Sequence, residues 1–584
     1  PIKSSSASDV YKRQMKRNHY IFLGMALVAL PSLAQVQPQS KDTTMNRTVV
    51  VEQEYNPIIL DASKVNVLPK VEEPVVNKKE VEYAISSTPA SNIPVGTMQA
   101  YTGKEVQPTS KPGYVRAGYG NYGNLDLLGN YLFHLSSRDK LNVNFSMDGM
   151  NGTLDMPYGD ARKWDAHYYR TRAAIDYLHQ FGKIDLSVAG HFGLSNFNYE
   201  PYGFSFKKQK FTSGDLHFGV KSTDETMPLQ FNAETNLMLY DRQHNQFFGG
   251  VNETQIRTKA IVSGNISDEQ QISIAFKMNN LIYNNKRDFY NEEIKSIFKS
   301  RTVVDLNPYY ELNNDDWRLH LGANVDFSFG NDKSFRVSPD VTIQYVFSDS
   351  YVVYANATGG RQLNDLRRLE TYNPYSDPSN EMRDTYEQLN ATLGFKASPV
   401  TGLWFNLFAG YQNLKDDLYQ IENSWIGGTG GNFIDLRQTS TNNIYAGLSA
   451  SYTYKDLFTL SGEGIYRHWK ASDAYTDNVS SPNYNPALWM KPETELNFKA
   501  EIHPIPALWL NIGYQYIWRA ERYYGFSKTF FPAVSDLNIG ATYHLFKGVS
   551  VYAKADNLLN KKFQRYLLYP TEGINFLGGL SFRF

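Results

Sequence analysis

From Gly113 to the last residue, apolar and polar positions alternate with a period of two. In Trp317–Phe329, Trp317, Leu319, Leu321, Ala323, Val325, Phe327 and Phe329 share one face, while Arg318, His320, Gly322, Asn324, Asp326 and Ser328 share the other. Side chains alternate across a strand, so each such stretch has one apolar and one polar face. Leu508, Leu510, Ile512, Tyr514, Tyr516 and Trp518 repeat the arrangement against Asn511, Gln515 and Arg519, as do Leu537, Ile539, Ala541, Tyr543 and Leu545 against Asn538, Thr542 and His544.

The links between these stretches alternate as well. Short ones fall near Ser137–Asp139, Gly182, Asp224–Met227, Asp268–Gln270, Asn314–Asp316, Asp349, Pro399–Gly402, Lys455–Asp456, Pro504–Pro506 and Lys547. Mostly longer ones lie between them, among them Gly360–Glu381, Lys415–Leu436 and Ala471–Leu488. Ten short turns and eleven loops, with both ends on the short-turn side, require 22 strands. An even count with that asymmetry is the signature of a bacterial outer-membrane barrel. A water-soluble sandwich gives similar alternation by hiding its apolar face. The strand count, the regular exchange of turn and loop, and a last strand alternating Ile574, Phe576, Leu580, Phe582 and Phe584 with Asn575, Ser581 and Arg583 favour a closed barrel. In lipid a β-protein satisfies its backbone only by closing. The expected fold class is all-β: a transmembrane antiparallel barrel of 22 strands over 113–584, with an extended N-terminal arm.

Composition narrows the functions. The mean hydropathy of −0.47 and a longest apolar run of only Tyr20–Leu30 exclude a bundle of membrane helices, each of which needs about 20 apolar residues. With 58 Lys+Arg against 59 Asp+Glu there is no basic excess to mark a nucleic-acid binder. The absence of cysteine removes disulfides, thiolate catalysis and zinc–thiolate sites. Aromatic residues make up 14% of the chain, with Tyr the commonest. Rings with a wet edge suit a protein that meets both water and lipid, although secreted all-β proteins are also Tyr-rich.

The first hundred residues differ from the rest. Met15 is a natural start, so 1–14 read as upstream sequence. Lys16 and Arg17, the apolar Tyr20–Leu30 and the small-residue site ending at Ala34, before Gln35, make 15–34 a secretory signal peptide. The stretch 35–112 carries 8 of the 25 prolines, two glycines and three aromatic residues. Prolines at that density interrupt any regular sheet or helix, so it reads as an extended arm.

Leu537–Phe584 resembles the end of the TonB-dependent receptors: a strand, a tight turn at Lys547, a penultimate strand, a loop, and a last strand ending in phenylalanine. Asp556 to Phe563 (DNLLNKKF) is similar to that family's motif Asn-Leu-Phe-Asp-Lys-x-Tyr; Asn557, Leu558 and Lys561 match, Leu559 and Asn560 replace the Phe and Asp, Lys562 takes the variable position, and Phe563 stands for the Tyr. Phe582 and Phe584 resemble the outer-membrane assembly signal, which implies the barrel assembly machinery as a partner. The resemblance covers roughly 113–584 and implies ligand uptake across the outer membrane. The family also carries a globular plug inside the barrel, and 35–112 is too short and too Gly-poor for a complete one. A reduced or absent plug is therefore expected, and the wide lumen of a 22-strand barrel must be filled by the arm, by folded-in loops or by a partner chain. Asn46–Glu52, with Thr48, Val49, Val50 and Val51, resembles a TonB box, which adds a strand to a coupling protein; an ordinary extended segment is the alternative. Outer-membrane lipid, a TonB-type coupling protein or an envelope lipoprotein are the implied partners. A passive large pore and a structural or assembly scaffold remain open as alternatives.

No other pattern points to chemistry. Gly118–Gly123 spells a dinucleotide motif, but strand pattern follows where a helix is required, so it reads as a hairpin tip. Gly427–Gly431 lacks the Lys-Ser/Thr of a phosphate loop. The histidines are scattered, and there is no Gly-x-Ser-x-Gly. No enzyme activity, cofactor or metal is expected. The loops Tyr372–Asp384 and Tyr475–Asn485, rich in Tyr, Asn, Asp and Ser, read either as ordinary wet loops or as a glycan- or peptide-binding surface.

Overall fold

The computed structural model describes residues 111–584, apart from 157–162, 201–207, 225, 246–248, 286–297, 331–332, 348–349, 379–381, 424–432, 473–485, 520–521, 525–526 and 530. The arm, the signal peptide with Ala34 and Gln35, the box-like Thr48–Val51, the Gly427–Gly431 run and the Tyr475–Asn485 loop lie outside the described residues.

Twenty-two strands form one antiparallel sheet closed on itself. The chain enters as β1 (Gly113–Gly120), turns at Asn121–Gly123 and returns as β2 (Leu125–His134), so the Gly118–Gly123 motif is a hairpin tip. It continues through β3 (Asp139–Asp155), β4 (Lys163–Gln180), β5 (Ile184–Asn198), β6 (Lys208–Ser222), β7 (Gln230–Asn245) and β8 (Gly249–Asn265). Next come β9 (Gln270–Asn285), β10 (Arg301–Asn313), β11 (Trp317–Phe329), β12 (Phe335–Phe347) and β13 (Tyr351–Gln362). The short helix α1 (Leu366–Tyr372) precedes β14 (Thr385–Val400), β15 (Leu403–Asn423), β16 (Phe433–Tyr454), β17 (Phe458–Ala471), β18 (Pro492–Ile505) and β19 (Leu508–Arg519). A loop hairpin, β20 (Arg522–Tyr524) and β21 (Ser527–Thr529), leads to β22 (Val534–Phe546) and β23 (Val549–Asp556). A second loop hairpin, β24 (Gln564–Tyr566) and β25 (Tyr569–Pro570), precedes the closing strand β26 (Asn575–Arg583).

Closure is made by the two ends of the barrel. β26 pairs with β1 through Val115↔Phe582 and Ala117↔Leu580, and Gly113 and Phe584 exchange two backbone hydrogen bonds of 2.9 Å. The ten tight links fall where the sequence places them. At one of them Gly548 has φ +86°, and a Cβ there would sit 2.3 Å from the Arg583 carbonyl oxygen, so only glycine fits.

The alternation resolves the choice between sandwich and barrel. Leu321, Val353, Leu393 and Leu580 are exposed on the outside, whereas Asp326, Asn279, Asn443 and Ser338 point inward and are buried. A water-soluble sheet buries the apolar set; this one buries the polar set and turns the apolar set outward, as a lipid-facing barrel must.

One expected link is largely strand. Lys415–Leu436 was expected to be loop, yet β15 and β16 stay paired out to Asn423↔Phe433. Beyond Leu414 the strands carry Asp417, Gln420 and Asp435, which are buried against other loops. The period-two signal fades there because neither face meets lipid.

Candidate functional site

At the long-loop end several loops fold into the mouth rather than outward. The first runs from β13 to β14. Asp365 caps α1, its side chain accepting from the Arg368 amide at 2.8 Å, while the Leu366 amide donates to Glu253 of β8 at 2.8 Å. Leu366, Leu369 and Tyr372, spaced by three, share a face and are buried. Glu370 accepts from Ser195 of β5 at 2.8 Å and from Tyr240 of β7. Tyr372 donates from its hydroxyl to the Leu418 carbonyl at 2.8 Å and Asn373 donates to Gln420 at 2.9 Å, both on β15. The Asp377 amide donates to Ile434 of β16 at 2.8 Å, and the Asp377 carboxylate takes Asn245 at 2.6 Å and Arg242 at 3.3 Å, both on β7. In a ring of 22, β5 and β16 are eleven strands apart. The segment therefore spans the mouth from one wall to the other.

The last loop meets it there. Asn557, at φ +49°, is a turn hub: its amide donates to Asp536 at 3.0 Å, and its side chain donates to the Lys561 and Glu572 carbonyls at 3.0 and 2.9 Å. That turn directs β24–β25 into the lumen, where Arg565 holds Asp536 at 2.6 Å and Gln515 at 2.9 Å. Tyr569 stacks on Tyr375 with ring centroids 3.7 Å apart and planes 9° apart. Trp164, Tyr168, Phe197 and Tyr566 pack around this pair at 5.3–6.4 Å. Trp489, Met490, Phe298 and Phe531, from three further loops, join the same buried cluster. The result is an aromatic core built inside the mouth of the barrel, its rim tied down by buried ion pairs. Of these, Arg301 of β10 forks onto Asp384 at 2.6 and 3.1 Å, and Lys491 reaches Asp417 at 2.5 Å.

Burial sets the electrostatics of the loops. Glu572 accepts from Asn124 at 2.9 Å and from Asn575, but desolvation pushes its carboxyl up to about 7. Asp365 and Glu370 are raised for the same reason. A carboxyl raised on folding favours its neutral form in the fold. Its stabilising contribution is complete below the ordinary carboxylate range, near 4.5, and is lost as pH rises through about 7. The last loop is thus expected to exchange its amide hydrogens faster at pH 8 than at pH 5, beyond the chemical rate, by a margin on the order of 3 kcal/mol. Glu572→Gln should flatten that dependence. An unchanged pH profile in the variant would remove Glu572 as its source.

The residues singled out in the sequence fall in three places. Asn557 and Phe563 are buried in the last loop, Phe563 packing with Ile517 and Val534. The Leu558 amide pairs with the Leu537 carbonyl at 3.0 Å, and Lys562 lies on the surface, 2.9 Å from Asp155. Phe582 and Phe584 stack on each other at 5.3 Å at the barrel seam. The Tyr372–Asp384 loop, expected to be wet or ligand-facing, has Tyr372 to Pro378 and Asp384 buried. Its polar groups are paid for by hydrogen bonds to the inner wall. The residues that tie it down, Arg242, Glu253, Arg301 and Gln420, were not singled out. The one available signal was charge at inward positions near the loop ends of strands. Among the described residues no group of three or more His, Asp or Glu side chains is placed to hold a metal ion.

No protein-family model and no curated protein matches the chain. Solved structures do match in fold. The FrpB iron transporter from Neisseria meningitidis (F3-3 variant) superposes with a TM-score of 0.63 at 10% identity, over 81% of each chain. The siderophore receptor PirA from Acinetobacter baumannii gives 0.62 at 9% identity, over 82% of this chain and 81% of its own. The copper transporter OprC gives 0.60 at 13% identity, over 82% of both. The chain thus has the 22-strand barrel fold of the TonB-dependent receptors, the fold that the resemblance at its C-terminal end implied.

Proposed function

We propose that the protein is an outer-membrane receptor-like barrel that admits a ligand by opening a mouth closed at rest by its own loops. The observation that carries this reading is the cap: two segments, 363–384 and 557–574, meet in the lumen, the first fixed to opposite walls at β5 and β16 and the second to β19 and β22. A passive pore needs a permanently open path, and an aromatic core is a costly thing to place across one. The similar structures are described as transporters and receptors for iron, copper and siderophores, which supports uptake of a ligand and a non-enzymatic role. With the barrel in the outer membrane, the tight turns and both ends of the barrel face the periplasm, where Thr48–Val51 would pair with a TonB-type coupling protein. The arm 35–112 serves in this reading as a reduced plug. Phe582 and Phe584 serve as the assembly signal and Ala34–Gln35 as the cleavage site.

Planar-bilayer recording of the purified full chain, with a pull-down of the periplasmic coupling domain alongside, tests the reading. A silent bilayer is expected, and Val50→Pro should abolish capture by removing a strand hydrogen bond. A large, steady conductance would overturn the receptor reading in favour of a pore. Capture unaffected by Val50→Pro would retire the coupling segment.

A further inference from the structure

The wall of the barrel parts between β12 and β13. β12 and β13 are paired only as far as Asp340↔Thr358, although β12 continues to Phe335 on its other neighbour, β11. β13 breaks register at Thr358/Gly360 and goes on pairing with β14 alone. Glycine is required at that break: a Cβ on Gly359 would lie 2.7 Å from both the Ser338 side chain and the Glu387 carbonyl, and Gly360 has φ +140°. Two strands on, β15 bulges at Lys415–Asp416, with Asp416 at φ +52°. Between these irregularities lies a cleft of about 700 Å³.

Its lining is strongly basic. Lys333, Arg336, Arg383 and Lys415 converge on it, and Asp416 is the single carboxylate among the lining residues. Arg336 lies over the Tyr386 ring at 4.5 Å and 3.7 Å from Asp416, so its guanidinium is held in place. Asp326 stands behind Tyr386, on the lumen side. On the other flank Phe335 and Val337 are apolar, face outward and are more than half exposed. The height of the cleft fits the membrane boundary. The 13 residues of β12, from Phe347 at the tight-turn end to Phe335, climb about 30 Å at about 3.4 Å per residue and a tilt of about 40°. The apolar band of such a barrel is about 25 Å tall, which puts Phe335 and the four cations at headgroup level.

We infer that this cleft binds the phosphorylated headgroup of an outer-leaflet lipid. Arg336 and Arg383 offer the paired donors that match phosphate oxygens, Lys333 and Lys415 add compact charge, and an acyl chain descends along Phe335 and Val337. A free anion would make no use of the apolar flank. The parting of β12 from β13 is then a purposeful feature of the wall: it lets a headgroup reach cations on both sides of the sheet.

This inference rests on the barrel spanning a bilayer, which reconstitution checks separately. The full chain and the variant K333Q/R383Q/K415Q are inserted into nanodiscs of phosphatidylcholine doped with lipid A. A second variant, K163Q/K208Q/K210Q, removes three exposed rim cations elsewhere. Native mass spectrometry then counts retained lipid A. The wild type and the rim variant should each keep one tightly held lipid A, and the cleft variant should hold it at least tenfold more weakly. Equal retention by all three would overturn the site. Displacement of lipid A by millimolar inorganic phosphate would overturn the lipid in favour of a free anion. Failure of every protein to insert would instead count against the membrane reading itself, and heat-modifiable migration in gels reports whether each variant has closed its barrel.

Discussion

Trimming both inward loops is expected to convert a silent barrel into a large, ohmic channel. In a chain that also lacks 35–112, current should stay near baseline while the loops are intact and rise by orders of magnitude once they are cut back. The geometry allows the cut: β13 and β14 are paired up to Gln362↔Thr385, and β23 and β26 up to Asp556↔Asn575. A short turn closes each hairpin where 363–384 and 557–574 now stand. Arg242 and Arg301 should be changed to Gln in the same variant, because their buried guanidinium groups lose Asp377 and Asp384 when the loop goes. A barrel of 22 strands has a lumen wide enough to need a stopper, so the effect should be visible in single-channel recordings and as sensitivity of cells to bulky antibiotics. Full current from the arm-deleted chain with its loops intact would show that the arm is the seal and the cap is not.

What the sequence made legible follows from which side chains meet lipid. Wherever a strand crosses the apolar band, one face must be apolar and the other is free to be polar, so Trp317–Phe329 or Leu508–Arg519 can be read at sight. The tight turns are legible for a similar reason, since only short links, most of them polar or carrying glycine or proline, fit there. The cap offers no such periodicity. Tyr372–Asp384 is as polar as any wet loop, and it is buried because each polar group finds a partner far away in the chain: Asn245 and Asp377 are 132 residues apart, and Asn373 and Gln420 are 47 apart. Burial of that kind is a property of pairs, and one segment carries no trace of it. The Asn557–Phe563 motif shows the reverse. It was legible through resemblance, and its physical task is local: Asn557 holds a left-handed turn that aims the last loop inward.

Asp384→Ala should have the largest effect of any single substitution on the cap. The carboxylate is fully buried. It accepts the Arg301 fork at 2.6 and 3.1 Å and the Asn364 amide at 2.9 Å, and it faces Arg361 at 3.6 Å. Removing one partner from a buried ion pair typically costs about 3–5 kcal/mol, because the other charge stays in a poor solvent. Here two guanidinium groups lose the same counter-charge, and Asn364, immediately before the α1 cap Asp365, loses an acceptor. β10 and β14 are each held by backbone ladders to both neighbours, so the loss should be local. Hydrogen exchange across α1 is expected to accelerate by at least a hundredfold, while amides in β10 and β14 keep their protection. Asp384→Asn retains an acceptor without the charge and should fall between the two. If α1 is as protected in Asp384→Ala as in the wild type, the ion pair is incidental, and the aromatic core around Tyr375 and Tyr569 alone holds the cap. If β10 and β14 lose protection together with α1, the cap and the barrel form one cooperative unit. A loop able to open while the barrel stays closed is what ligand entry requires, so that outcome would count against the cap as a gate.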